Sequence, residues 1–179
     1  MDAYQALVEG LILEVPGVLR SIPPGTHHLT LAFLGDIAES DIDRCSAALD
    51  EVGSFEAFEY SLGPPNLLSG RGRPRLVRVS TTEGVEQVRS VQKALISRVA
   101  QAVPSIDTRS KPPHITLARF KKFAHRPQAR QIEAALGRMT DLAIPERDRF
   151  SSVRLVKSTL APSGPIYETL REAPLAQEV

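Results

Sequence analysis

The sequence predicts an antiparallel α+β fold, and three observations carry that reading. Helical and strand-like hydrophobic patterns alternate along the 179 residues. The connections between them are short and hairpin-like, which favours antiparallel sheets over a doubly wound parallel one. Fourteen prolines and eleven glycines are spread through those connections, which argues against a helical bundle.

The elements follow in order. Residues 2–13 read as a helix with Ala3, Leu7 and Leu11 on one side. Pro16-Gly17 and Pro23-Pro24-Gly25 punctuate a loop. His28–Leu34 alternates as a strand, with Leu29, Leu31 and Phe33 directed to the core. Gly35 ends it, and Ser40-Asp41 opens a helix reaching Val52. Phe55–Leu62 alternates weakly as a strand before the turn Gly63-Pro64-Pro65-Asn66. Arg71-Gly72-Arg73-Pro74 reads as a basic hairpin leading into the strand Arg75–Ser80. Val85–Val103 is the longest helical pattern, with Val88, Val91, Leu95, Val99 and Val103 as its buried stripe. Pro112-Pro113 introduces a second strand, His114–Phe120. Residues 128–139 form a helix and Phe150–Val156 a strand. Ser158–Leu170, with Pro162, Gly164 and Pro165, reads as a turn before a last strand. No domain-length linker is visible, so residues 1–179 read as a single domain.

Composition excludes several classes of function. The net charge is +1, so there is no global polybasic field for nucleic acid or membrane. Seventeen of the 22 basic residues are arginine, the better fork for phosphate, which points to a local anion site. A biased composition gives the same excess. Cys45 is the only cysteine, which excludes an internal disulfide and any cysteine-cluster metal site. The longest apolar run near the start is Leu11-Ile12-Leu13, too short for a signal segment or a membrane span. A soluble, cytoplasmic protein without a membrane partner is therefore expected. With no tryptophan and nine aromatics, a large stacking platform for single-stranded RNA is not expected.

One tetrapeptide occurs twice. His28-Leu29-Thr30-Leu31 and His114-Ile115-Thr116-Leu117 lie 86 residues apart, each after a proline-containing loop. Residues i and i+2 share a face of a strand, so His28 points with Thr30, and His114 with Thr116. A single His-x-Thr in a strand carries no signal. Two copies suit phosphodiester displacement, which needs a base for the attacking oxygen and an acid for the departing one. Two imidazoles, each with an ordinary pKa near ~6.5, divide those roles at neutral pH. Threonine hydroxyls donate to the non-bridging oxygens, where charge is held in the transition state.

The paired tetrapeptides resemble the two signatures of the 2H phosphoesterase superfamily, and their context resembles its RNA 2′,3′-cyclic phosphodiesterase branch, the 2′-5′ RNA ligase family. Leu29-Thr30-Leu31-Ala32-Phe33-Leu34-Gly35-Asp36 is similar to the first motif, and Pro113-His114-Ile115-Thr116-Leu117-Ala118-Arg119 to the second. Leu155-Val156-Lys157-Ser158, with Gly164 and Tyr167, is similar to the closing strands. In all, the resemblance covers roughly residues 18–175. It implies a two-lobed domain of two antiparallel sheets about a pseudo-twofold axis, with outer helices and a central cleft. The implied activity is hydrolysis of RNA 2′,3′-cyclic phosphate ends to 2′-phosphates, without metal or other cofactor; a monomer is expected. Its reversal would give 2′-5′ ligation, which water disfavours. The resemblance further implies that His28 is the acid, that His114 activates water, and that Thr30, Thr116 and Arg119 hold the phosphate. Strict alternation turns Arg119 away from His114, so this last role requires a bulge or a strand end between them. Family members usually open with an apolar strand, whereas this sequence opens in a helix.

Other readings stay open. The chain fits a related 2H enzyme for another small cyclic or 2′-5′ linked nucleotide, or a non-catalytic binder of RNA ends. Two intact histidines argue against the binder. His27 faces away from His28 by parity, and adjacent strand residues do not share a metal ion. His125 reads as an exposed loop residue. Two basic groups, Arg71, Arg73, Arg75 and Arg78, then Arg119, Lys121, Lys122 and Arg126, form either a solvated surface or a phosphate-tracking rim for RNA.

Overall fold

The computed structural model describes residues 2–70, 73–106, 108–122, 124–139, 147–161 and 164–177. In chain order the elements are α1 (Asp2–Glu14), β1 (Leu19–Ser21), α2 (Ile42–Asp50), β2 (Phe58–Leu62), β3 (Asn66–Gly70), β4 (Arg73–Glu83), α3 (Val85–Ala102), β5 (His114–Phe120), α4 (Arg126–Met139), β6 (Arg147–Phe150), β7 (Ser152–Ala161) and β8 (Gly164–Pro174). Short 3₁₀ turns, Glu39–Asp41 and Glu51–Ser54, flank α2. The predicted α+β class with antiparallel pairing holds. Two compact units form, each from three stretches of chain. The first takes Met1–Leu29, Ser61–Glu83 and Pro113–Arg147; the second takes Thr30–Tyr60, Gly84–Pro112 and Asp148–Val179.

In the first unit an antiparallel sheet runs β1-β5-β4-β3. Ser61 and Leu62, the end of β2, pair with Glu83 and Thr81 of β4. Val77, Val79, Ile115 and Leu117 turn to the buried side of this sheet. There they meet Tyr4, Leu7, Val8 and Leu11 of α1 and Ile132, Ala135 and Leu136 of α4. Burying each larger side chain stabilises the unit by about 1.5–3 kcal/mol. The Tyr4 hydroxyl is satisfied by donating to the Gly63 carbonyl at 3.0 Å.

In the second unit α2 and α3 pack through Cys45, Ala48 and Leu49 against Val88, Leu95 and Val99, and α2 rests on the β7–β8 hairpin. Gly84 starts α3 at φ +70, and a Cβ there would lie 2.8 Å from the Glu59 carbonyl oxygen. Only glycine fits both constraints. Phe58 and Phe150 stack at 4.9 Å, with Tyr60 edge-on to Phe150.

Several expectations need correction. His28–Leu34 is not a strand: its one ladder contact is an isolated antiparallel bridge, Leu29 to Ile115. Alternation supplies the pattern for a strand, but β1 takes the Ala118–Phe120 end of that edge of β5. Phe33 is accordingly 71% exposed rather than in the core, although Leu31 is buried. Sequence reading missed β1, β3 and β6. The first and last are three and four residues long, too short to carry an alternating signal. β3 begins at Asn66, the last residue of the expected turn. The expected last strand is β8, but it starts at Gly164, and Ser158–Ala161 belongs to β7, its partner in a long hairpin. Most of that hairpin is exposed, Leu160 at 87%, so its residues show no inward and outward alternation. Pro162, Arg71 and Gly72, named in the expected turns, lie outside the described residues.

Candidate active site

Strand β5 matches its expected bounds, His114–Phe120, with Ile115 and Leu117 buried and His114 and Thr116 half-buried on the other face. Against β4 the register runs Ser80 to His114, Val79 to Ile115 and Arg78 to Thr116, then Val77 to Ala118. Leu117 is therefore an extra residue, a β-bulge. Leu117 and Ala118 are both fully buried in succession, at 1% and 0% exposure, and Arg119 is exposed. The bulge resets the alternation and returns Arg119 to the face of His114 and Thr116. The required break lies where the sequence argument needed it.

His28 comes to β5 by a different route. Pro23-Pro24-Gly25-Thr26 forms a tight turn, with Gly25 at φ 77 and the Thr26 N–H donating to the Pro23 carbonyl. Proline then glycine at the two central positions is what a type II turn demands. The turn carries the chain from β1 back to β5, where Leu29 pairs with Ile115 on the buried side. The Leu29 bridge brings its neighbour His28 beside β5. Its Nδ1 bonds the Thr26 carbonyl at 2.9 Å. A carbonyl only accepts, so Nδ1 carries the proton and exchange with a substrate runs through Nε2. His27, half-buried, is held below its ordinary pKa of 6.5, first by burial and then by nearby positive charge including His28. It prefers the neutral form.

The electrostatics of this face favour anions. Arg20 pairs across from Arg119, and Arg78 across from Thr116. The strand positions on the face, Arg20, Arg119, Thr116, His114, Leu76, Arg78, Ser80, Asn66 and Leu68, include no carboxylate. Among the described residues, Arg20, Arg78 and Arg119 have no acidic partner within 4.0 Å, whereas Arg44, Arg89, Arg98, Arg138, Arg147, Arg154 and Arg171 each have one. A negatively charged ligand meets uncompensated guanidinium there.

His28, His114, Thr116 and Arg119 all belong to the first unit. Thr30, exposed, falls in the second unit, because the division comes inside the first tetrapeptide. Sequence reading missed Gln92, which is 3% exposed on the apolar stripe of α3. Its Nε2 donates to the carbonyls of Leu31 at 2.8 Å and Lys111 at 2.9 Å, and its Oε1 accepts from the Ser110 hydroxyl at 3.0 Å. Leu31 closes the first tetrapeptide, and Lys111 precedes His114 by three residues. The signal was available: a glutamine at i+4 from Val88 and three before Leu95 interrupts an apolar stripe. His125 is exposed, as expected, and its N–H donates to the Gln128 side chain at the start of α4. No group of three or more His, Cys, Asp or Glu suited to a metal ion occurs among the described residues.

A family model described as the 2′-5′ RNA ligase superfamily matches residues 21–160. A protein of Archaeoglobus fulgidus named RNA 2′,3′-cyclic phosphodiesterase is 28% identical over 175 residues, covering 95% of this chain and 93% of its own. One of Thermus thermophilus with the same name is 31% identical over 165 residues, covering 89% and 77%. The crystal structure of a Thermus thermophilus protein superposes with a TM-score of 0.73 at 26% identity, covering 99% of this chain and 94% of that one. Escherichia coli LigT complexed with 3′-AMP superposes at 0.72 over 98% and 92%, and at 19% identity this is a likeness of fold.

Proposed function

The chain belongs to the 2′-5′ RNA ligase superfamily, and on that premise we propose that it hydrolyses RNA 2′,3′-cyclic phosphate ends to 2′-phosphates by two-histidine acid–base catalysis. The observation that carries this reading is one sheet face bearing His114, Thr116 and Arg119, with His28 brought beside β5 by the Leu29 bridge and no carboxylate among the face's strand positions. The names of the relatives support the substrate class.

In the proposed reaction His114 takes a proton from water as the oxygen attacks phosphorus. The bond from phosphorus to the 3′ oxygen breaks on the opposite side. His28 gives that oxygen its proton, leaving a 3′-hydroxyl and a 2′-phosphate. The Thr26 carbonyl suits His28 to this task, because a protonated imidazole donates at Nδ1 to the carbonyl and at Nε2 to the leaving oxygen. Thr30 and Thr116 donate to the non-bridging oxygens, and Arg119 offsets their charge. Every acid, base and anion donor in this scheme is a side chain of the protein itself. We place the enzyme in the cytoplasm; among the described residues no helix is long and apolar enough to cross a membrane.

The test is incubation with 2′,3′-cyclic AMP in excess chelator, with products separated by chromatography. Accumulation of the 2′-phosphate is expected, at a rate unchanged by the chelator. Activity that vanishes with chelation and returns with zinc or manganese would sink the two-histidine scheme.

A further inference from the structure

Arg78 stands apart from the other basic residues of its hairpin. Arg73 and Arg75 are exposed towards the hairpin end, whereas Arg78 is half-buried in the middle of β4, directly across from Thr116. Its orientation is set by Asn66, its cross-strand partner on β3. The Asn66 Nδ2 donates to the Pro64 carbonyl at 3.4 Å, which turns Oδ1 towards Arg78. Arg78 Nε donates to that Oδ1 at 3.1 Å. Occupying Nε leaves the two terminal nitrogens to present the end of the guanidinium, a geometry suited to two oxygens of one phosphate. No acidic side chain competes for it among the described residues.

The position separates this group from the reacting phosphate. Strands lie about 4.8 Å apart, so Arg78 stands one strand from Thr116, and its Nε faces Asn66 on the strand beyond. The bond to Asn66 draws the guanidinium away from Thr116, towards the next unit of a chain whose end lies at Thr116. Resting on the reading above, we propose that Arg78, held by Asn66, binds the phosphodiester on the 5′ side of the nucleotide that carries the cyclic phosphate. The ligand class is thus an RNA chain of two or more nucleotides. A free cyclic mononucleotide lacks this phosphate and leaves the subsite unused.

The test compares 2′,3′-cyclic AMP with a dinucleotide that ends in a 2′,3′-cyclic phosphate. Arg78→Gln should lower kcat/KM for the dinucleotide about 10–100-fold, mostly through KM, and change the mononucleotide by less than about threefold. Arg78→Lys should recover part of the loss, since it keeps the charge without the fork. Equal losses on both substrates would place Arg78 at the reacting phosphate, and loss on neither would remove the subsite; either overturns the proposal. Binding keeps the question separate from turnover. In the His114→Ala protein, calorimetry with the intact dinucleotide should show the same loss on Arg78→Gln. The slope of log affinity against log salt should fall by about 0.7 with the lost phosphate contact. If wild type cleaves neither substrate but the calorimetric difference stands, the proposed reaction fails and the subsite survives. An unchanged affinity and slope refute the subsite whatever the enzyme cleaves.

Discussion

Replacing Gln92 with methionine keeps the length of a buried side chain and removes all its hydrogen bonds. Three bonds are lost, to Leu31, Lys111 and Ser110. The Leu31 carbonyl is buried, and leaving it without a donor costs about 2 kcal/mol. The other two bonds are partly accessible to water and contribute about 0.5 kcal/mol each. The thioether is more at home among Val88, Val91 and Leu95, which offsets about 0.5 kcal/mol. The net expectation is a loss of about 2–3 kcal/mol, or roughly 5–10 °C in Tm for a chain of this size. Thermal unfolding by circular dichroism measures it, with urea midpoints as a second estimate. Gln92→Glu should be worse than methionine at neutral pH, because a carboxylate then faces two carbonyl oxygens. Both carbonyls lie within three residues of a tetrapeptide, so kcat on 2′,3′-cyclic AMP should fall at least about tenfold at 25 °C, where the methionine variant is still folded. A Tm within about 1 °C of wild type, or a glutamate variant as stable as methionine, would refute the reasoning.

Three further outcomes are expected. His28→Ala and His114→Ala should each lower kcat/KM on the cyclic phosphate by about 10²–10⁴-fold. With an aryl leaving group that needs no proton, His28→Ala should regain much of its rate and His114→Ala should not; the reverse pattern exchanges the roles. Thr116→Val keeps the shape of β5 and should lower kcat/KM about 10²-fold, and an unchanged value removes this hydroxyl from the phosphate. His27 bears on stability at low pH. Its pKa is lowered in the fold, so below 6.5 the unfolded chain binds the extra proton first, and stability falls as pH drops through that value. His27→Gln should narrow the difference in Tm between pH 8 and pH 5, and an unaltered difference would contradict the burial argument.

The sequence alone determined the antiparallel α+β class, the four helices and the chemistry of the repeated tetrapeptide. These rest on local properties: apolar residues at helical spacing in α3, proline and glycine at the turns, and side-chain types that keep their chemistry wherever they lie. It also determined that something must interrupt β5 before Arg119 could share a face with His114. Tertiary structure decided what that interruption was. A bulge depends on how Leu117 meets a partner strand, and nothing local to β5 specifies which residue lacks an opposite number. The fate of His28–Leu34 was decided in the same way, because a strand exists only when a neighbouring edge has unpaired donors and acceptors to offer. The alternation there was real, but the segment meets β5 at a single bridge, Leu29 to Ile115, while β1 pairs with its Ala118–Phe120 end. Gln92 shows the remaining gap. Its place on an apolar stripe is legible from spacing, but its partners lie 61 and 19 residues away, at Leu31 and Lys111. Which distant carbonyls a buried amide satisfies is a property of the packed chain, set by the requirement that buried polar groups find partners.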